Sequence, residues 1–301
     1  MSGGTRGCIQ YFMTRAVAWL IVLMGVSSRV VAEPGVTPVP PPITLRPGNG
    51  YWSVEPARWF VAARPEVGIV YFKPALAAGY GIPHWMWVGV DVNSITTLEL
   101  FQVGAGVRAA TPIFDLSYMV RDTCSFNKAF LAPATSYSHV SVYDMPGPNA
   151  HYTAAEGEAV AILPLPYSAI AVDFVSIQTF GVPRGMSLYE ENYRVIVRSP
   201  VFFMLRVALL ARVLSETALK VGVLSEYAFH TGREQGVLRI GPFGLLQLTD
   251  HLSFAAGATL TVSSPDRLGI PLGAYGVAGF RYQWASGERR PELPWRGVMV
   301  P

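Results

Sequence analysis

Charge is scarce in this sequence of 301 residues: Asp, Glu, Lys and Arg together make up 14% of it, against about a quarter in ordinary soluble domains. Long apolar runs are missing too. Past the N-terminus an Arg, Asp, Pro or Gly interrupts every candidate for a membrane helix, which needs about 18 or more consecutive apolar residues. A chain that is 51% hydrophobic is therefore not a bundle of membrane helices. The two cysteines, Cys8 and Cys124, are too few for a disulfide scaffold. Neither they nor the five histidines show metal-ligand spacing, so no metal and no cofactor is expected. Lys and Arg number 23 against 20 acids, scattered without a basic run, which argues against a nucleic-acid partner.

What the sequence does have is alternation. Leu252, Phe254, Ala256, Ala258, Leu260 and Val262 fall on one parity and Ser253, Ala255, Gly257, Thr259, Thr261 and Ser263 on the other. After a turn-like SPDRLG the pattern resumes through Ile270, Leu272, Ala274, Gly276, Ala278, Phe280, Tyr282 and Trp284. Period two marks a strand with two unlike faces. One greasy face and one small or polar face suit a strand between lipid and a polar lumen.

Residues 1–32 read as a secretory signal peptide, with Arg6 and Arg15 ahead of the apolar run Ala16–Val26 and a cut after Ala32. Met13 is an equally good start, and an uncleaved anchor is the alternative. Cleavage would leave Cys124 as the single thiol. Residues 33–50 form a Pro-rich linker.

From Tyr51 to Trp284 strand follows strand. Candidates begin with Trp59–Ala63, Ile69–Tyr80, Trp85–Val92, Leu98–Val107 and Phe114–Arg121. Residues 122–154 read as a long irregular loop with one strand near Tyr137–Tyr143. Strands then resume at Glu158–Leu165, Ala169–Phe180 and Tyr189–Arg198. Val201–Leu214 has helix-forming composition, but as a strand it places Arg206 and Arg212 on one face and leaves the other face wholly apolar. Further strands cover 219–230, 238–249 and the two halves of 251–284. The expected fold is an all-β, single-chain antiparallel transmembrane β-barrel of 12–14 strands, with a tail at 285–301. Fourteen strands require both Trp59–Ala63 and the Tyr137 segment, and twelve drops both. A soluble exported β-sandwich is the competing fold, but it accounts poorly for the small residues on the polar face.

Gly279, Tyr282 and Trp284, in G-F-R-Y-Q-W, resemble the last-strand signal of bacterial outer-membrane β-barrel proteins. The pattern departs at Val277, where a polar residue is usual, and in continuing to Pro301. The resemblance implies an outer-membrane location, contact with outer-membrane lipid, and recognition by the barrel-assembly machinery.

With apolar parities facing lipid, the other parity lines the lumen with Lys73, Arg121, Arg194, Arg198, Arg206, Arg212, Lys220, Arg239 and Arg281, and with Asp91, Asp115, Glu190 and Glu226. Bases exceed acids in this set. Two readings stay open: a porin-like channel or passive transport protein with a mildly basic lumen that prefers anions, and an internal salt-bridge network that closes a narrow barrel. A third is a structural or adaptor barrel that binds other envelope proteins through its arm, loop and tail. An enzyme is not expected. The one catalytic pattern is His139 and Ser141, which on a strand would share a face. It resembles the His-x-Ser pair of outer-membrane phospholipase A and the lipid A deacylase barrels, with His139 as base and Ser141 as nucleophile, but Val142 stands where those families have Asn.

Overall fold

A computed structural model describes residues 57–287, apart from 127–129, 139, 145–149, 166–167, 199, 214–218, 231–232, 234, 250 and 269–274. The expected signal peptide, the linker and all but the first residues of the tail lie outside the described residues. Cys8, which cleavage would remove, is likewise outside the described residues.

Twelve antiparallel strands close into a barrel. They are β1 (Arg58–Ala63, continued by Glu66–Gly68), β2 (Tyr71–Lys73, continued by Ala75–Ile82), β3 (Met86–Thr97), β4 (Leu100–Ala110), β5 (Phe114–Ser125) and β6 (His151–Pro164). Then come β7 (Ser168–Phe180), β8 (Val201–Arg212), β9 (Leu219–His230), β10 (Val237–Gln247), β11 (Leu252–Ser263) and β12 (Tyr275–Tyr282, continued by Trp284–Ala285). Each strand pairs with the next in sequence, and β12 returns to β1 through Ala62↔Ala285 and Glu66↔Arg281. The breaks in β1 and β2 fall at Pro65 and Pro74, which have no backbone N–H to give a ladder.

Alternation decides what faces where. Outward residues include Trp59, Val88, Leu116, Leu209, Val223 and Phe280, all exposed. Among the described strand residues only Asp122 carries a formal charge on the outward parity, and it pairs with His151 (3.0 Å) at the strand end. A midplane Arg or Lys on that face would cost about 2–4 kcal/mol. Val201–Arg212 is a strand with Arg206 inward, because every odd residue from 201 to 211 is apolar.

Twelve strands arise differently from the sequence expectation. Trp59–Ala63 is a barrel strand. The segment near Tyr137 is not, since Val140–Asp144 forms a short helical turn. Tyr189–Arg198 is not in the barrel wall. Ser187–Glu190 pairs with Val195–Val197 on one side and with Phe130–Leu131 on the other, in a separate sheet of three strands. A hairpin folded against the lumen wall also has two unlike faces, so it alternates as a wall strand does. The long loop is shorter than expected, because β5 runs to Ser125 and β6 begins at His151.

The two ends of the barrel differ in their connections. The links β2–β3, β4–β5, β6–β7, β8–β9 and β10–β11 are short. Those at 126–150 and 181–200 are long and lie at the other end of the barrel. The chain ends at 57 and 287 share the short-turn end with the first set.

Ion pairs line the lumen wall. Arg206, 2% exposed, holds Asp173 (3.0 Å) and Glu226 (3.2 Å), its register partners on β7 and β9. Removing one member of a buried charge pair costs about 3–5 kcal/mol, since the partner stays buried without its counter-charge. Arg206→Ala is therefore expected to lower the temperature at which the folded band is lost on unboiled gels. Adding Asp173→Asn and Glu226→Gln restores part of that loss. An unchanged melting temperature in the single variant would show that the pair contributes nothing.

Candidate functional site

The lumen has three levels. At the short-turn end an apolar layer fills it: Phe60 stacks edge-on against Trp87 (5.4 Å) beside Ala62 and Ala110, and on another wall Leu210, Ile162 and Leu245 pack together. Phe60, Trp87, Leu210 and Leu245 are all buried, so little water reaches this level.

The middle level is a belt of charge. Going round the wall, Arg281 binds Glu66 (2.7 Å), Arg64 and Arg108 share Asp91 (3.0 and 3.3 Å), and Arg108 also holds Asp115 (2.7 Å). Arg121 meets Glu156 (3.0 Å), Arg206 bridges Asp173 and Glu226, and Arg239 approaches Glu226 (3.9 Å). The belt is interrupted at β11, whose inward residues are Ser253, Ala255, Gly257, Thr259 and Thr261.

At the long-loop end a stopper enters the lumen. Glu190, fully buried, accepts from Arg121 (3.1 Å) and from the Tyr152 hydroxyl (3.0 Å). Arg239 donates to the carbonyls of Tyr193 (2.9 Å) and Arg194 (2.7 Å). Asn192 donates to Gln102 (2.5 Å). Arg194 sits at φ 51°, a left-handed conformation that tightens the turn between the two short strands. The guanidinium of Arg206 lies 5.3 Å from the Tyr193 ring centroid and that of Arg121 6.0 Å from it. Leu188, Val195 and Val197 pack on inward residues of β6 to β9, among them Tyr152, Ile177 and Met204.

Other long connections knit above it. Asp266 accepts from the Tyr137 amide (3.0 Å) and takes both ends of the Arg233 guanidinium. The Tyr137 hydroxyl bonds Ser187 (2.8 Å). Leu131, Tyr137, Val142, Tyr189 and Ile196 form a buried cluster there. Over β1 to β4 the connections are short, and a cavity of about 1170 Å³ lies beneath. Charged residues of the belt and the stopper turn line one side of it, and Gly222, Phe243 and Gly257 line another.

Most of the expected lumen residues are there. Lys73, Asp91, Asp115, Arg121, Arg206, Lys220, Glu226, Arg239 and Arg281 all face inward from barrel strands. Glu190 and Arg194 reach the lumen from the stopper and not from a wall strand. Arg198 is exposed in the stretch leading to β8 and lines nothing. Arg212 is exposed at the short-turn rim, paired in register with Lys220. Missing from the sequence set are the acids Glu66, Glu156, Glu158 and Asp173 and the bases Arg64 and Arg108. Parity alone would have placed them, but the register that pairs Asp173 with Arg206 is not written in either strand. Cavity-lining bases and acids number six each, so the excess of bases in the sequence set comes from the acids left out of it.

His139 lies outside the described residues. The Ser141 hydroxyl is 3.0 Å from that of Ser138, and Ser141 lies on the helical turn Val140–Asp144. Gly279, Tyr282 and Trp284 all lie on β12, the closing strand. The two aromatics face outward at 45% exposure, and Gly279 takes the inward parity beneath the Tyr71 ring.

A closed, even-numbered antiparallel barrel with an apolar exterior and a charged interior is now established. Antiparallel closure, an even strand number and an apolar exterior are features shared with outer-membrane β-barrels. No protein-family model and no curated protein matches the sequence. Solved structures similar to it include the β-domain of the Bordetella autotransporter Brka (14% identity, covering 75% of this chain and 98% of that one, TM-score 0.40). They also include the KdgM porin in complex with disordered oligogalacturonate (8%, 74% and 98%, 0.38) and the in-vitro folded OmpT, an outer membrane protein of Vibrio cholerae (8%, 76% and 97%, 0.33). Likeness at this level carries nothing about a shared activity.

The stopper holds a titratable group of its own. Burial pushes the Glu191 carboxyl up to about 8, opposed by its hydrogen bond from Ser125 and reinforced by Glu99 and Glu190, with Arg194 pulling it back. A carboxyl raised from its ordinary 4.5 stabilises the docked state fully below that value, and the contribution is lost as pH rises through about 8. Between pH 6 and pH 9 the segment 187–197 is therefore expected to lose hydrogen-exchange protection in wild type and not in Glu191→Gln. Equal protection of wild type at both pH values would remove the effect.

Proposed function

We propose that the protein sits in a bacterial outer membrane and passes small polar solutes through its lumen, with the segment 187–197 as a stopper. The observation that carries this is the cavity of about 1170 Å³ lined by charged side chains, inside a barrel whose outward residues are apolar. A buried polar chamber of this size in a membrane-facing shell suits a solute pathway. Long connections at one end and short turns at the other agree with the usual outer-membrane arrangement. The finer expectation of an anion-preferring, basic lumen has little support: Arg206, its first candidate, is locked between two acids, and Arg212 sits at the rim.

The packed layer of Phe60, Trp87, Leu210 and Leu245 favours a second reading, a structural barrel of an envelope complex. In the first reading that layer is a hydrophobic constriction that opens when wetted. Tyr282 and Trp284, exposed on the closing strand, are our candidates for contact with the assembly machinery.

Planar-bilayer recording separates the readings. Wild type is expected to show small, intermittent conductance, and Glu190→Ala with Arg239→Ala, which frees the stopper, a severalfold larger one. Silence of both proteins, with the folded band intact on unboiled gels, would favour the structural barrel.

A further inference from the structure

The cavity's charges are balanced in number but not in availability. Every base that lines it is engaged. Arg64, Arg108, Arg121 and Arg281 are each held by a carboxylate at 2.7–3.3 Å, and Lys73 and Arg194 also have partners. Three of the lining acids are different. Glu158 accepts only a long hydrogen bond from Ser117 (3.3 Å) and has no ion pair among the described residues. Glu99, in the turn at the mouth, has neither a side-chain hydrogen bond nor an ion pair among them. Glu191, 6% exposed, uses one oxygen on Ser125 (2.5 Å) and leaves the other, buried, without any partner.

The two levels are far apart. Ser117 and Ser125, which mark them on β5, are eight residues from each other, or about 26 Å along a strand at 3.3 Å per residue. Acids without an ion-pair partner therefore stand both at the mouth and deep in the chamber, the deep one near Arg108 and Arg206, which are each already shared by two other carboxylates. Another part of the lining, Gly222, Phe243 and Gly257, carries no charge. A guanidinium already shared by two carboxylates offers an incoming anion little, since binding would have to break a formed pair. An acid facing the cavity without an ion-pair partner offers a cation a new charge-assisted bond, and Glu191, whose carboxyl burial raises to about 8, gives up its proton to make it.

We infer that the chamber selects solutes carrying an ammonium or guanidinium group on an apolar body, bound through Glu158, Glu99 and Glu191 with the apolar part against the Gly222–Phe243–Gly257 wall. This deepens the reading of the lumen as a solute pathway and reverses the sign of selectivity expected from the base count.

The probes are hexylammonium and hexanoate, which share a body and differ in the sign of the head. Under a KCl gradient the wild-type current is expected to reverse on the cation side, and hexylammonium, but not hexanoate, to block it. Glu158→Gln weakens that block severalfold and lowers the cation-to-anion permeability ratio. Glu99→Gln lowers the ratio when the probe is added from the long-loop side. Anion-side reversal, equal block by hexanoate, or an unchanged Glu158→Gln protein would overturn the inference while leaving the channel in place. If no current is found, calorimetric titration of the detergent-solubilised, heat-modifiable protein decides it. Saturable hexylammonium binding lost in Glu158→Gln upholds the site, and absent binding overturns it.

Discussion

The structure depends on burying charge inside a closed wall. A barrel in lipid has no free edge and no charge on its outside, so the ionisable groups of its strands turn inward. There they meet each other at short range in poor solvent, where one removed partner is more damaging than the pair is beneficial. The belt from Arg281–Glu66 through Asp91, Arg108 and Arg121 to Arg206 and Glu226 satisfies that constraint. It joins neighbouring strands round the wall and in one place skips a strand, where Arg64, in the break of β1, reaches Asp91 on β3.

The stopper follows from the same constraint. Arg121 and Arg239 have more donors than the wall has acceptors nearby. A segment that brings in Glu190 and two backbone carbonyls meets that need while burying Leu188, Val195 and Val197 against apolar inward residues. Its polar and apolar faces match a wall that is charged lower down and greasy above.

Sequence alternation made much of this legible. It separated lipid-facing from lumen-facing residues along 252–262 and 276–284, and it read 201–212 as a strand because Arg206 and Arg212 share its parity against helical propensity. It failed where two environments exist without a membrane. Residues 187–197 alternate because they lie between the lumen wall and the loop cluster, so Glu190 and Arg194 reached the right compartment by the wrong element. It also failed on balance of charge. Asp173 is the partner of Arg206 only through the β7–β8 register, across the long 181–200 connection and 33 residues of chain. The resemblance at Gly279, Tyr282 and Trp284 fits a closing strand, but its role in assembly is outside what geometry addresses.

The β1–β12 pairing has one more consequence. All other neighbours in the wall are joined by a single connection, whereas Glu66 and Arg281 are 215 residues apart in sequence. The wall is thus a ring in which the described ends, near Ala62 and Ala285, happen to lie side by side. Topologically no strand is first. A chain re-started in one of the short turns, with the old ends joined, would trace the same ring and trade one late, long-range closure for another.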